Sequence, residues 1–540
     1  MPSRWPFAQL LNWHQPLCCR RFPAAALWWL AVTVTFAGTS VVISLMSIIL
    51  LLSEVEGALA VSPTHGLWLG RIFLFTVGLS PLFAVRISWN YGFKRVLFCG
   101  ILLFMSGAIL TPFTSHYSIM FFCRLIGGLG GGVVISVGLA ILSRLLSDRY
   151  RAIVISLSSS ITFGLGIALG LLYSGYIGQI GTWQLMSLPD IILAPPVLLL
   201  LLLFCPELPT EKRPPYDYLS LFSLYTAAFA LFLIVTQVKE PWNTLGWRSG
   251  FTISCWIVSL LALSLLVYAT WTRKYPLLDH RLLKDPVFII SCLGMAIVGV
   301  MIFGVTLTSI GMLETIYRYE KWTVGWFLSS IGLIYCLGGI LPSLLVHRVP
   351  PVAFALVGIA LITLSCFIDH SYTVQSTMGQ LFVVISMRAV GVSLTLGPIT
   401  TFALSDLPHD IAPRGAAIVT FIRQMGGAFG SGIIQTIQIT REAYHNARFG
   451  EMVNVYSPRY EQFYRTLDTH LSTASGPVRG GEQSTQLIIA DILNQSKLAS
   501  LLDAIWIFGW VFLGLLLTMI ALLVYHRMRR PLWTQGPNPG

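Results

Sequence analysis

Long apolar runs alternate with short polar breaks along almost the whole chain. A helix needs about 20 apolar residues to cross about 30 Å of hydrocarbon. That ruler predicts spans at 24–50, 66–86, 96–112, 118–144, 152–177 and 185–205, then at 219–237 and 250–270. Six more follow at 286–312, 322–346, 352–368, 377–404, 415–440 and 499–524, which makes fourteen. Two blocks of six flank a central pair. This pattern predicts two repeat halves with an inserted helix hairpin, the kind of internal duplication that carriers use.

The expected fold class is therefore an all-α polytopic membrane protein. Its expected parts are a cytoplasmic segment 1–23, an N-terminal six-helix bundle 24–205 and a linker 206–285 holding two extra spans. A C-terminal six-helix bundle 286–524 and a cytoplasmic tail 525–540 complete it. One polar stretch, 441–498, is much longer than the others and falls on the outer side. Its Tyr444, Tyr456, Tyr460 and Tyr464 make it a solvated excursion or a partly ordered docking cap.

Charge sets the orientation. With the N-terminus inside, the inner segments hold twenty Lys and Arg, among them Arg20, Arg21, Lys94, Arg95, Arg149, Arg348 and Arg529. The short outer loops hold four: Lys239, Arg248, Arg318 and Lys321. The positive-inside rule then places both ends in the cytoplasm. Composition agrees, since 55% of the 540 residues are hydrophobic, 10% are charged and the mean hydropathy is +0.76. A soluble domain is about 25% charged, so a single-core soluble enzyme and a disordered chain are both excluded. The net charge of +12 is strung between apolar runs rather than gathered on one face, which reads as topology and not as nucleic-acid binding. The nine cysteines have no metal or disulfide spacing, and no cleavable leader is expected.

Five stretches carry mechanism. The break after the second span reads Trp89-Asn90-Tyr91-Gly92-Phe93-Lys94-Arg95, a glycine turn followed by two cations. The fourth span holds Arg124 a few residues inside the membrane, followed by Gly127, Gly128, Gly130, Gly131 and Gly132. A buried arginine costs several kcal/mol unless it is paired or wet, and the glycines let a neighbouring helix come close. The fifth span is glycine-rich through Gly170 and Gly175, and the last two stretches hold Arg388 and Phe421-Ile422-Arg423-Gln424-Met425-Gly426-Gly427-Ala428-Phe429-Gly430.

These stretches resemble motifs A, B and C of the major facilitator superfamily. The Phe-x-Arg-Gln-x-Gly-Gly-x-x-Gly run is similar to that of its fourteen-span drug:proton antiporters, the EmrB/QacA type. Tyr275–Leu283, Gly246-Trp247 and the long outer loop agree, so the resemblance covers roughly residues 24–530. It implies the major facilitator fold and export of drugs or small hydrophobic or amphipathic compounds by alternating access. It also implies an inner (plasma) membrane location, a proton gradient as energy source, no cofactor and no metal. The implied partners are a small-molecule substrate, the lipid bilayer and a periplasmic membrane-fusion adaptor, with no nucleic acid. Arg124, Arg388, Arg423 and Gln424 become the candidate transport residues. Gly92, Lys94 and Arg95 become an inner-gate latch, and Gly170 and Gly175 become gating glycines.

The pattern also breaks. Trp89 stands at the motif A acid, Leu171 at the motif C proline, and Gly38 where such antiporters carry an acid in the first span. The carboxylates left inside the spans are Asp190, Glu314 and Asp503, all expected near outer ends, where a carboxylate meets interfacial solvent. Asp190 and Glu314 are the candidates for coupling. Three buried arginines without a mid-membrane acid leave two alternatives open: they line a path for an anionic or zwitterionic substrate, or they pair with acids lying deeper than the span ends suggest. The alternative functions are a carrier for a specific anionic or zwitterionic metabolite and, given the absent first-span acid, a non-coupled sensor. A polytopic lipid enzyme would need His, Asp or Glu clustered at one membrane face, which the chain does not present.

Overall fold

The computed structural model describes residues 24–529 apart from 147, 208–216, 274–276, 278–281, 283–284, 346–347, 405–411 and 454–457. The segment 1–23, the tail beyond 529, Tyr456 and most of Tyr275–Leu283 lie outside the described residues. Every regular element among the described residues is helical, and fourteen helices are long and apolar enough to cross a membrane.

The fourteen are numbered in order. The first six are α1 (Ala24–Leu50), α2 (Pro63–Tyr91), α3 (Phe93–Leu110), α4 (Tyr117–Leu145), α5 (Asp148–Ile180) and α6 (Leu188–Phe204). The hairpin is α7 (Tyr218–Gln237) and α8 (Gly250–Thr272). The last six are α9 (Pro286–Ile316), α10 (Lys321–Leu345), α11 (Pro351–Asp369), α12 (Met378–Leu404), α13 (Ala412–Met452) and α14 (Pro477–Arg529). Local chemistry sets several boundaries. Asp285 accepts a hydrogen bond from Val287 N at 3.0 Å ahead of Pro286, so α9 starts with a side-chain cap and a proline in its first turn. Gly92 turns the chain between α2 and α3 at φ +99°, a conformation that costs a residue with a Cβ.

In the N-terminal half α4 packs against α2 and α3, while α1 packs against α5 and α6. In the C-terminal half α11 and α10 pack on α12, and α13 packs on α9 and α14. The halves meet along two seams, α5 against α10 and α2 against α13. The hairpin leans on the second seam. Phe232 of α7 stacks on Phe75 at 4.7 Å between ring centroids and lies 6.4 Å from Phe429, while Tyr225 donates to Leu79 O at 2.6 Å. Helix α8 packs on α7 and leaves most of its own apolar surface outward, as a lipid-facing helix does.

The outer excursion 441–498 differs from a loop. Helix α13 runs unbroken to Met452, a further helix spans Pro458–Ser475, and α14 begins at Pro477. The chain reverses at Gly476, where φ is +87°. No glycine or proline interrupts 433–449, so nothing stops the helix at the end of its apolar run.

Candidate transport site

Helix α4 approaches its neighbours through its glycines. A Cβ on Gly128 would lie 2.0 Å from Thr76 Oγ1 and 2.6 Å from Phe73 O, so any larger residue would force α4 away from α2. That closeness brings Arg124, only 3% exposed, against α1 and the turn before α6. Its Nη1 donates to Ser44 O at 3.2 Å and Ser44 Oγ at 3.3 Å, and Nη2 points at Met186 Sδ at 3.4 Å. Asp190 faces the same guanidinium. Asp190 is not the solvated edge carboxylate expected from the sequence: it lies in the first turn of α6 and is 0% exposed. The Ser44 hydroxyl lies beside its carboxylate, short of a well-formed hydrogen bond.

The C-terminal half repeats the arrangement with different partners. Arg388, on the fourth span of that half as Arg124 is on the fourth of its own, forms an ion pair with Asp369. Its Nε donates to Ser365 Oγ at 3.3 Å. Asp369 ends α11, one residue past the predicted span, and is 4% exposed. The reading that the spans lack a buried acid is therefore corrected twice, by Asp190 and by Asp369. Asp503 also has partners: Arg441 Nε at 2.5 Å and His445 Nε2 at 2.7 Å clamp it to the outer extension of α13.

Arg423 lies on α13 at the centre of the molecule. Its Cζ sits 4.7 Å from the Phe163 ring centroid of α5, and the Tyr335 phenol of α10 faces it. The next residue, Gln424, is buried against α2 at Gly78, with Oε1 unbonded. Helix α9 opposes this stretch with π-turns at Val300–Val305 and Met312–Ile316. Widened turns of this kind recur at functional sites. Gly299 is required there, since a Cβ would lie 2.0 Å from Arg423 O. Glu314, half-buried on the second π-turn, has Oε1 buried without a partner.

The predicted latch sits within one half. Lys94 Nζ donates to Leu202 O at 2.9 Å and Arg95 Nε meets Glu207 at 3.2 Å, both tying α3 to the end of α6. Trp89, at the motif acid, carries the Arg144 guanidinium 3.5 Å above its ring, a cation–π contact. Gly170 packs on Ile43 and Met46 of α1 in its own half, whereas Gly175 packs on Lys321 O and Gly325 of α10 across the seam.

Three features escaped the sequence. Lys321 bonds Glu54 and, at 2.7 Å, Ser53 Oγ, which joins the two halves at the helix ends opposite the N-terminal side. Arg71 donates to Gln435 Oε1 at 2.5 Å and faces Glu240 beyond α7, joining α2, α13 and the hairpin. Both joints pair residues far apart in the chain, and no local pattern announces them. The third is a cavity of about 70 Å³ between the halves, lined by Leu171 of α5, Met301 and Ser309 of α9, Tyr335 of α10 and Arg388 of α12. A wholly apolar crevice of about 300 Å³ lies among Leu82, Leu224, Phe288, Leu293 and Phe421, toward the first turns of α7 and α9.

Comparison with known proteins fits this geometry. The profile of the Major Facilitator Superfamily matches residues 28–431. The multidrug export protein EmrB of Escherichia coli (strain K12) is 24% identical over 470 residues, 86% of this chain and 88% of that protein. The lincomycin resistance protein LmrB of Listeria monocytogenes is 24% identical over 397 residues, 72% of this chain and 81% of that one. Among solved structures, the human organic anion transporter MFSD10 has a TM-score of 0.56 at 13% identity, covering 92% of this chain and 100% of its own. A bacterial homolog of the human lysosomal transporter Spinster has a TM-score of 0.58 at 12% identity, covering 93% and 99%. The two structural likenesses speak to fold.

Proposed function

Because the chain belongs to the Major Facilitator Superfamily, we propose that it exports small hydrophobic or amphipathic compounds by alternating access, driven by a proton gradient. The observation that carries this reading is the cavity between the halves, which draws its lining from both of them and holds the buried Arg388. A cavity shared by two units that rock against each other can be opened to either side in turn. The outer ends are joined here through Lys321, Glu54, Arg71 and Gln435. The 300 Å³ crevice offers apolar wall for a hydrophobic guest.

In this reading Asp190 carries the proton. A sealed carboxylate beside Arg124 has two stable conditions: ionised and facing the guanidinium, or protonated and neutral when a cation or another group competes for it. In this reading the membrane is the inner (plasma) membrane and both ends lie in the cytoplasm, a topology that the twenty-to-four distribution of basic residues supports.

The test is flux in proteoliposomes with and without a pH gradient. Rhodamine 123 and carboxyfluorescein serve as probes. A gradient should accelerate movement of at least one dye. Asp190→Asn should lower gradient-driven flux about tenfold or more while dye-for-dye exchange persists. Absence of flux of either dye under every gradient would refute the carrier reading, and unchanged coupling in Asp190→Asn would refute the role of Asp190.

A further inference from the structure

Four arginines are buried in the spans, and three have an acid opposite them. Glu240 faces Arg71, Asp190 faces Arg124 and Asp369 is bonded to Arg388. Arg423 pairs with no carboxylate among the described residues. It is 3% exposed, and its Nε and Nη2 have no hydrogen-bond partner. A charge in mid-membrane is retained where it has a task, and here its counter-ion is missing.

The surroundings of Arg423 show what would fit. Its head closes a groove in the opposite half, formed by Gly38 of α1 with Ser158, Ser159, Thr162 and Phe163 of α5. Arg423 is the one contribution of the C-terminal half to that lining. The hydroxyls are at hand: Ser158 Oγ lies 2.8 Å from Thr35 Oγ1, and Thr162 Oγ1 donates to Thr35 O at 3.3 Å. The groove holds about 10 Å³ with the halves together, room for about one water. A carboxylate therefore enters only when the halves part and Arg423 withdraws from Phe163.

Gly38 accounts for the missing charge. Antiporters that this chain resembles carry an acid at that position, and an acid there would stand in the Arg423 groove. A Cβ at 38 would lie 3.0 Å from Thr162 Cγ2, so the groove could take a side chain only if Thr162 gave way. Tyr335 links the groove to the larger cavity. It faces Arg423, lines the 70 Å³ space among aliphatic side chains, and its hydroxyl is buried and unbonded.

We propose that Arg423, opposite Gly38 and the hydroxyls of Ser158, Ser159 and Thr162, is the binding site for the carboxylate of the transported molecule. The substrate class is thus an amphipathic organic acid whose apolar body occupies the cavity beside Tyr335. The guanidinium supplies two parallel donors, which match a carboxylate's two oxygens. Loss of the acid at 38 then frees the arginine for the substrate instead of an internal partner. This inference rests on the carrier reading above and deepens it.

The test is dye binding to the purified full chain in detergent, read by fluorescence anisotropy. Carboxyfluorescein is the anionic probe and rhodamine 123 the cationic one, on the same xanthene frame. The wild type should bind carboxyfluorescein about tenfold more tightly than rhodamine 123. Arg423→Gln should weaken carboxyfluorescein at least tenfold and change rhodamine 123 less than twofold, and Arg423→Lys should recover part of the loss. Gly38→Asp leaves the arginine in place but gives it an internal partner, so it should weaken carboxyfluorescein by a similar factor. Wild-type preference for rhodamine 123, or binding of neither dye, overturns the proposal. So does equal weakening of both dyes in Arg423→Gln, or wild-type anion binding in Gly38→Asp. Rhodamine 123 flux without carboxyfluorescein binding sinks this inference and leaves the carrier reading standing. Charge-selective binding without any flux does the reverse.

Discussion

The side chains of Arg388 and Asp369 are each 6% exposed, so the ion pair they form exists almost entirely out of water. Removing one partner leaves the other charge buried and uncompensated, which costs about 3–5 kcal/mol. Asp369→Asn should lower stability in detergent by about that amount, measured by chemical unfolding. Asp369→Asn combined with Arg388→Met should recover most of it, because no bare charge remains. The arginine of this pair was legible, since a cation in the middle of an apolar run stands out. The acid was not. Asp369 follows directly on the run 352–368, where a carboxylate reads as an interfacial residue. The turn of α11 and the approach of α12 decide that it faces inward. Asp190 was seen but misread for the same reason, because the first turn of α6 reads as an edge position in the sequence while the packing buries it.

Helix seams rest on small residues. At Gly175 a Cβ would lie 2.9 Å from Lys321 O and 3.0 Å from Gly325 Cα, and backbone cannot turn aside as a side chain can. At Gly170 the obstacles are Met46 Cβ at 2.8 Å and Ile43 Cα at 3.1 Å, within one half. Gly175→Val should therefore push α5 and α10 apart at their outer ends. It should lower flux about tenfold or more and raise the reactivity of a thiol placed at the outer seam. Gly170→Val should instead lower the yield of folded protein, with flux per folded molecule less affected. The glycine density of α5 was readable from its sequence, but its division between the two tasks was not, because each task depends on which helix lies opposite. The outer stretch 441–498 shows the complementary limit. Its polar residues hid a helical hairpin, since α13 continues past the membrane without a breaker and is held there by Arg441, His445 and Asp503.

Across the whole molecule, the outer closure gathers charge from both halves. The short helix Leu52–Leu59 presents Glu54 to Lys321 and sets Glu56 against Gly66 at the start of α2. Burial raises the Glu56 carboxyl above its ordinary 4.5, an effect partly opposed by the nearby Lys321 ammonium. A carboxyl raised on folding favours the folded state when neutral. Its contribution is full below about pH 4.5 and is lost as the pH climbs through the raised value. Hydrogen-exchange protection over 52–66, taken relative to the intrinsic exchange rate at each pH, should thus be higher near pH 4.5 than at neutral pH, and Glu56→Gln should remove that difference. Equal protection at both pH values in the wild type would show that Glu56 does not hold this closure.

Sequence alone determined what depends on the solvent along a single segment. Fourteen apolar runs must be fourteen helices, because hydrocarbon satisfies no backbone group and each span must bond within itself. The excess of basic residues on one set of loops follows the same local logic. Tertiary structure decided which charges are matched. Whether an arginine has an acid opposite is settled by helix faces brought together from distant parts of the chain: α11 with α12 for Arg388, the turn before α6 with α4 for Arg124, and α1 and α5 with α13 for Arg423. The sequence marked three buried arginines and an absent first-span acid. Among the described residues the packing gave Arg423 no carboxylate partner and set it facing the place of that acid.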